Sequence, residues 1–149
     1  MVIEFARRGA GRTYPTADLK KIAVKILAAL EQHEAELSIA LVGDKEMRPL
    51  NASYRKKNKT TDVLSFPAGE KQAAAPVLLG DVIISVEQAR RQAGEREKSL
   101  KSEMVTLLIH GILHLLGYDH ERSPRQAKIM AGLEQKLLRD LCDQGLIKV

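Results

Sequence analysis

The chain has 149 residues and is 44% hydrophobic, a single-domain length with enough apolar material for a core. Its lone Cys142 excludes an internal disulfide framework and suits a reducing, cytoplasmic compartment. A net charge of +5 leans towards polyanionic partners, while two Phe, three Tyr and no Trp dictate an aliphatic core and leave few rings to stack on bases.

Met1 to Ala6 runs directly into Arg7 and Arg8, which is no pattern for a leader. The longest apolar-rich run, Met104 to Leu116, is too short for a membrane span and is interrupted by histidines. A soluble protein with no membrane partner is expected. No internal repeat or long polar linker divides the chain, so residues 1–149 are expected to form one domain.

Val2 to Phe5 reads as a first strand. Pro15-Thr16 opens a helix to about Glu31, with Leu19, Ile22, Ala23, Ile26, Leu27 and Leu30 at helical spacing. Leu37 to Val42 is a strand closed by Gly43-Asp44. Asp44 is placed to cap a short helix towards Tyr54, with Pro49 far enough in to delay or kink it. The basic cluster Arg55, Lys56, Lys57 and Lys59 follows, either a solvated loop or a phosphate-binding patch.

Val63 to Phe66 is a strand ended by Pro67, Ala68 to Pro76 an exposed loop, and Leu78 to Ile84 another strand. Ser85 with Gln88 forms a capping box for a helix through about Ala93. The helix from Ser99 to Leu116 has almost no polar face and must be buried on most sides, and Gly117 supplies its left-handed stop. Ser123-Pro124 starts a last helix to about Leu141, with Ile129, Met130, Leu133, Leu137 and Leu141 facing inward. The fold class is α+β: a small sheet of about four strands covered by about five helices, with the site below at the end of the buried central helix.

Three of the four histidines fall within eleven residues, at His110, His114 and His120. His110 and His114 are i and i+4, one turn apart on one helical face. Past the Gly117 stop, the chain can return His120 as a third nitrogen. Imidazoles are costly in an apolar helix unless they have a partner, and a metal ion is such a partner. Three neutral imidazoles leave a tetrahedral ion one open position, the layout of a catalytic site. Zinc suits the all-imidazole set, and copper, nickel or cobalt fit the same nitrogens. The spacing matches the metalloprotease pattern H-E-x-x-H-x-x-G-x-x-H, except that Gly111 stands where the protease carries its general-base Glu. That departure argues against peptide hydrolysis.

The string His110-Gly-Ile-Leu-His114-Leu-Leu-Gly-Tyr-Asp-His120 resembles the signature of the YbeY family of bacterial single-strand-specific endoribonucleases. Leu50-Asn51-Ala-Ser-Tyr54-Arg55, Thr61-Asp62-Val-Leu-Ser65-Phe66-Pro67 and Leu79-Gly80-Asp81-Val82-Ile83-Ile84 agree with it in order and spacing. The likeness spans about residues 37 to 142. Pro49 and Thr60 are modest departures from the family's pattern. The resemblance implies a metal-dependent ribonuclease active in small-subunit rRNA 3′-end maturation and ribosome quality control. Its partners would be precursor rRNA and the small ribosomal subunit, with no role for DNA.

By the same resemblance, His110, His114 and His120 are the metal ligands and Arg55 is the functional arginine. A guanidinium there can grip a phosphate with two parallel hydrogen bonds, and Lys56, Lys57 and Lys59 can track the RNA backbone. Asp119 either orients a ligand imidazole or caps the turn after Gly117. Asp62 and Asp81 read as structural, and the sequence names no proton acceptor. Two other functions share these residues: a metal-dependent peptide hydrolase, and a non-catalytic rRNA- or ribosome-binding factor braced by a structural metal.

Overall fold

The computed structural model describes residues 1–55 (Arg55 by its backbone alone), 61–69 and 77–148. Four strands, β1 (Val2–Arg7), β2 (Ala35–Val42), β3 (Val63–Pro67) and β4 (Val77–Ser85), form one mixed sheet in the order β1-β2-β4-β3. β1, β2 and β4 are parallel, and β3 pairs antiparallel with β4 along the far edge. Five α-helices accompany them: α1 (Ala17–Ala29), α2 (Asp44–Arg55), α3 (Val86–Glu95), α4 (Leu100–Leu115) and α5 (Pro124–Asp143). The expected α+β class holds.

Strand alternation sorts the sheet into two unequal faces. Leu37, Ile39 and Leu41 of β2 and Val82 and Ile84 of β4 join the main core with α1, α3, α4 and α5. Each fully buried Leu or Ile there stabilises the fold by roughly 1.5–3 kcal/mol. The opposite face carries a smaller cluster in which Met47 of α2 meets Val42 and Leu64.

Several local expectations need correction. α1 stops at Ala29, because Glu31 adopts a left-handed φ of 59° and Gln32 N–H closes back on the Leu27 carbonyl. Pro49 does not delay α2, which starts at Asp44 and runs through it to Arg55, with buried Met47 holding it to the sheet. Asp44 is the first residue of that helix rather than the residue before it. The first amides are served by Glu46, from Gly43 N–H, and by Glu87, from Asp44 N–H (both 2.9 Å). The Asp44 carboxylate instead accepts from Ser85 Oγ and pairs with Arg91.

Only half of the capping box forms. Ser85 Oγ accepts from Gln88 N–H, but Ser85 N–H is already committed to the Asp62 carbonyl, and the Gln88 side chain turns to Gln92 instead. On α5, Met130, Leu137 and Leu141 are buried and Leu133 packs beside them, whereas Ile129 is 43% exposed. It lies one residue, about 100°, off the inward stripe.

The helix α4 is buried as expected but is not wholly apolar. Glu103 is fully buried, and its Oε2 accepts from Arg96 (2.7 Å) and from Gln92 (2.9 Å). Gln92 also donates to Asp62 (3.3 Å), so one polar chain joins α3, α4 and the entry to β3. Such partners are what make a buried carboxylate tolerable. The exposed loop expected over 68–76 is described only at Ala68 and Gly69, and its remainder lies outside the described residues.

Candidate metal centre

The last two turns of α4 carry His110 and His114 out of the core towards one groove. Gly117 then takes φ +99°, a conformation that other residues adopt only with strain. Two hydrogen bonds fix the stop: Gly117 N–H to the His114 carbonyl (3.0 Å) and Tyr118 N–H to the Leu113 carbonyl (3.1 Å). Asp119 Oδ1 next accepts from Glu121 N–H (2.9 Å), tightening the turn that returns His120. Ring centroids are 4.8 Å apart for His110 and His114, 5.2 Å for His110 and His120, and 5.4 Å for His114 and His120.

One nitrogen from each ring lies within 4.8 Å of the others, a donor set that fits a divalent ion with all-imidazole preference. The sequence places these ligands. It does not reveal what orients them. His110 Nδ1 sits 3.1 Å from Glu134 Oε1 on α5. A carboxylate oxygen only accepts, so Nδ1 carries the hydrogen and Nε2 keeps its lone pair for an ion. Asp119 Oδ1 makes the turn contact, and Glu134 is a carboxylate bonded to a histidine ring.

The one signal for Glu134 in the sequence is its position. Met130, Glu134, Leu137 and Leu141 follow the 4-3-4 spacing of an inward stripe in which Glu134 is the charged member. Replacing Glu134 by Gln is expected to weaken metal affinity about 10- to 100-fold, because a neutral amide orients the imidazole less strongly. Competition with a chelator measures it, and an unchanged dissociation constant would contradict the assignment.

Burial, and then the neighbouring His110 and His120, hold His114 below the ordinary imidazole value, against a smaller upward pull from Asp119 and Glu121. A lowered value keeps the ring neutral and able to ligate. In the unfolded chain His114 regains a value of about 6.5 and takes up its proton at higher pH than in the fold. Stability of the metal-free protein is therefore expected to fall as pH drops below about 6.5, and the loss is complete once the folded ring also protonates. Thermal midpoints in chelator between about pH 7 and 5 test this, and a level profile would count against it.

Gly111 has a structural reason. A Cβ there would come within 2.6 Å of Val82 Cγ1 and 3.3 Å of Ser65 Oγ, so α4 lies too close to the sheet for any side chain. Ser65 Oγ also donates to the Gly111 carbonyl (3.1 Å), fastening the histidine-bearing helix to β3.

The groove has a volume of about 380 Å³. The three histidines and Glu121 form one part of its lining, all five residues of β3 form the floor, and Tyr54 completes it. Consecutive strand residues face opposite sides of a sheet, so a groove touching all five runs along the strand's edge. Among the described residues that edge is unpaired. Arg55 ends α2 directly after Tyr54, with its side chain outside the described residues, as are Lys56, Lys57 and Lys59. No helix among the described residues is long and apolar enough to cross a membrane.

A family model described as Endoribonuclease YbeY matches residues 6–142. Among curated relatives, Endoribonuclease YbeY of Myxococcus xanthus is 56% identical over 75% of this chain and 38% of its own length. The Aquifex aeolicus protein of that name is 47% identical over 83% of this chain and 81% of its own. That of Geobacter metallireducens is 40% identical over 99% of this chain and 100% of its own. The solution structure of TM1509 from Thermotoga maritima superposes with a TM-score of 0.69 at 26% identity, covering 96% of this chain and 91% of that one. Matched by the family model over nearly its whole length and by the Geobacter relative from end to end, the chain belongs to the YbeY endoribonuclease family.

Proposed function

We propose that the chain is a zinc-dependent endoribonuclease that cuts single-stranded RNA, acting in small-subunit rRNA 3′-end maturation and ribosome quality control. The observation that carries this reading is the convergence of three imidazole nitrogens, one ring oriented by Glu134, on a groove open to solvent. An all-imidazole set with a free face favours zinc in a catalytic rather than a structural role. When bound, the ion supplies a Lewis acid beside the scissile phosphodiester.

The chain's own residues supply the rest. His110, His114 and His120 present nitrogen lone pairs to the ion. Arg55, at the end of α2 next to a groove residue, grips the phosphate and stabilises its growing charge. Lys56, Lys57 and Lys59 follow the backbone of the strand on either side, in keeping with a net charge of +5. In this reading the work is done in the cytoplasm, on precursor rRNA at the small ribosomal subunit; family membership and a net charge of +5 support an RNA substrate.

The edge of β3, unpaired among the described residues, favours one other reading, since an extended peptide can add to such an edge beside the histidine helix. Metal-loaded wild type and His114→Ala are to be incubated with a defined single-stranded RNA and with an unfolded peptide, each with and without chelator. Cleavage of RNA alone, abolished by chelator and by the substitution, is the expected result. Peptide cleavage would move the assignment to a protease. RNA that binds but stays intact would make the chain a non-catalytic rRNA-binding factor.

A further inference from the structure

Tyr54 is 65% exposed, more than any other large hydrophobic side chain among the described residues. An aromatic ring left in water at that level forgoes the stabilisation that burial would give it. It is nevertheless held in place, because its ring leans on Phe66 at a centroid distance of 4.5 Å and an angle of 59°. Phe66 in turn packs against the cluster of Val42, Met47 and Leu64. Tyr54 is thus a ring with one side braced and the rest open to the groove that holds the three histidines. The chain has only two Phe and three Tyr, and one of each meets here.

We propose that Tyr54, backed by Phe66, is the stacking platform for one nucleobase of the RNA strand beside the metal centre, an inference that rests on the ribonuclease reading above. A base stacks on a tyrosine face whatever its identity, because every base presents a π surface. The brace matters because a ring already held loses little freedom when a base lands on it. The groove's volume of about 380 Å³ lies near the small end of ligand sites, room for about one nucleotide at a time. A base in a duplex has both faces covered by its neighbours and cannot reach the ring. Stacking on Tyr54 therefore requires an unpaired, splayed base, which is a physical cause for single-strand selectivity.

The test uses full-length metal-loaded protein for cleavage and chelated protein for binding. The probe is a short single-stranded oligoribonucleotide carrying 2-aminopurine, with an abasic version as control. Tyr54→Leu is expected to weaken binding by about 5- to 150-fold and to abolish the quenching of 2-aminopurine fluorescence that stacking causes. Tyr54→Phe keeps the ring and should retain both binding and quenching. The abasic strand should bind wild type and Tyr54→Leu alike. In cleavage, the Leu substitution should raise KM far more than it lowers kcat, since a base stacks equally in the ground and transition states.

Binding and quenching by Tyr54→Leu equal to wild type would overturn the platform while leaving the ribonuclease reading intact, provided that wild type still cleaves. Equal losses in Tyr54→Phe and Tyr54→Leu would also overturn it, because the hydroxyl and not the ring would then be the contact. A metal-loaded wild type that neither binds nor cuts RNA would remove both. Metal content and thermal midpoint of the Leu variant are read alongside. A residue this exposed should leave both unchanged, and a collapsed fold would leave Tyr54→Phe and the abasic strand to decide.

Discussion

Replacing His114 by alanine is expected to abolish metal binding and to cut RNA cleavage by about a thousandfold or more. A bound ion contributes several kcal/mol of transition-state stabilisation, and each 1.36 kcal/mol is a factor of ten in rate. The three rings form a near-equilateral triangle with centroid distances of 4.8, 5.2 and 5.4 Å, so losing His114 leaves two candidate ligands from different elements. The fold should survive. His114 is only half-buried, and without an ion its proton is disfavoured by burial and by its histidine neighbours. The chelated His114→Ala protein should therefore match or exceed the thermal midpoint of chelated wild type below about pH 6.5. Loss of cleavage is expected to exceed that of Arg55→Ala, because removing a ligand removes the Lewis acid itself. A variant that retains an equivalent of zinc and wild-type cleavage would refute the ligand assignment.

The second large effect concerns Gly111. Restoring the glutamate that metalloproteases carry at this position is expected to unfold the protein or cost it most of its stability, and not to create a peptidase. The new Cβ alone would press on Val82, which is fully buried in the sheet. Overpacking of that kind costs about 1–3 kcal/mol, the loss expected for Gly111→Ala. A carboxylate forced into the same contact adds the penalty of burying an unpaired charge, typically several kcal/mol, against a total stability of about 5–15 kcal/mol. Denaturant unfolding of Gly111→Ala and the soluble yield of Gly111→Glu measure both. A Gly111→Glu protein with a wild-type midpoint would show that α4 can lift off the sheet.

Features written in short-range chemistry were legible in the sequence. The i, i+4 histidines in an apolar run, the Gly117 stop and the Ser123-Pro124 start all reappear, with Ser123 Oγ accepting from Gln126 N–H. Each is decided by residues within a turn of one another. What escaped depends on contacts between distant elements. Glu134 is bonded to a histidine 24 positions earlier, on a different helix. Glu103 looks like an ordinary polar residue until Arg96 and Gln92 close over it. Tyr54 and Phe66 meet only because α2 packs on the smaller face of the sheet. Gly111 was read as a missing base, and its positive reason, the closeness of α4 to Val82, needed the packed sheet to be seen.

The ligand set has an uneven stiffness. Two nitrogens ride on a helix that is fastened to the sheet at Gly111, beside them, so their bite is fixed by α-helical geometry. The third hangs on a turn held by backbone bonds and by Asp119, with His120 more exposed than His110. Ions of different radius would be accommodated by movement of that turn, while the helix stays still. The ranking of metals at this centre should thus be tuned by substitutions from Gly117 to Glu121, and the helix should set only how many ligands an ion finds on arrival.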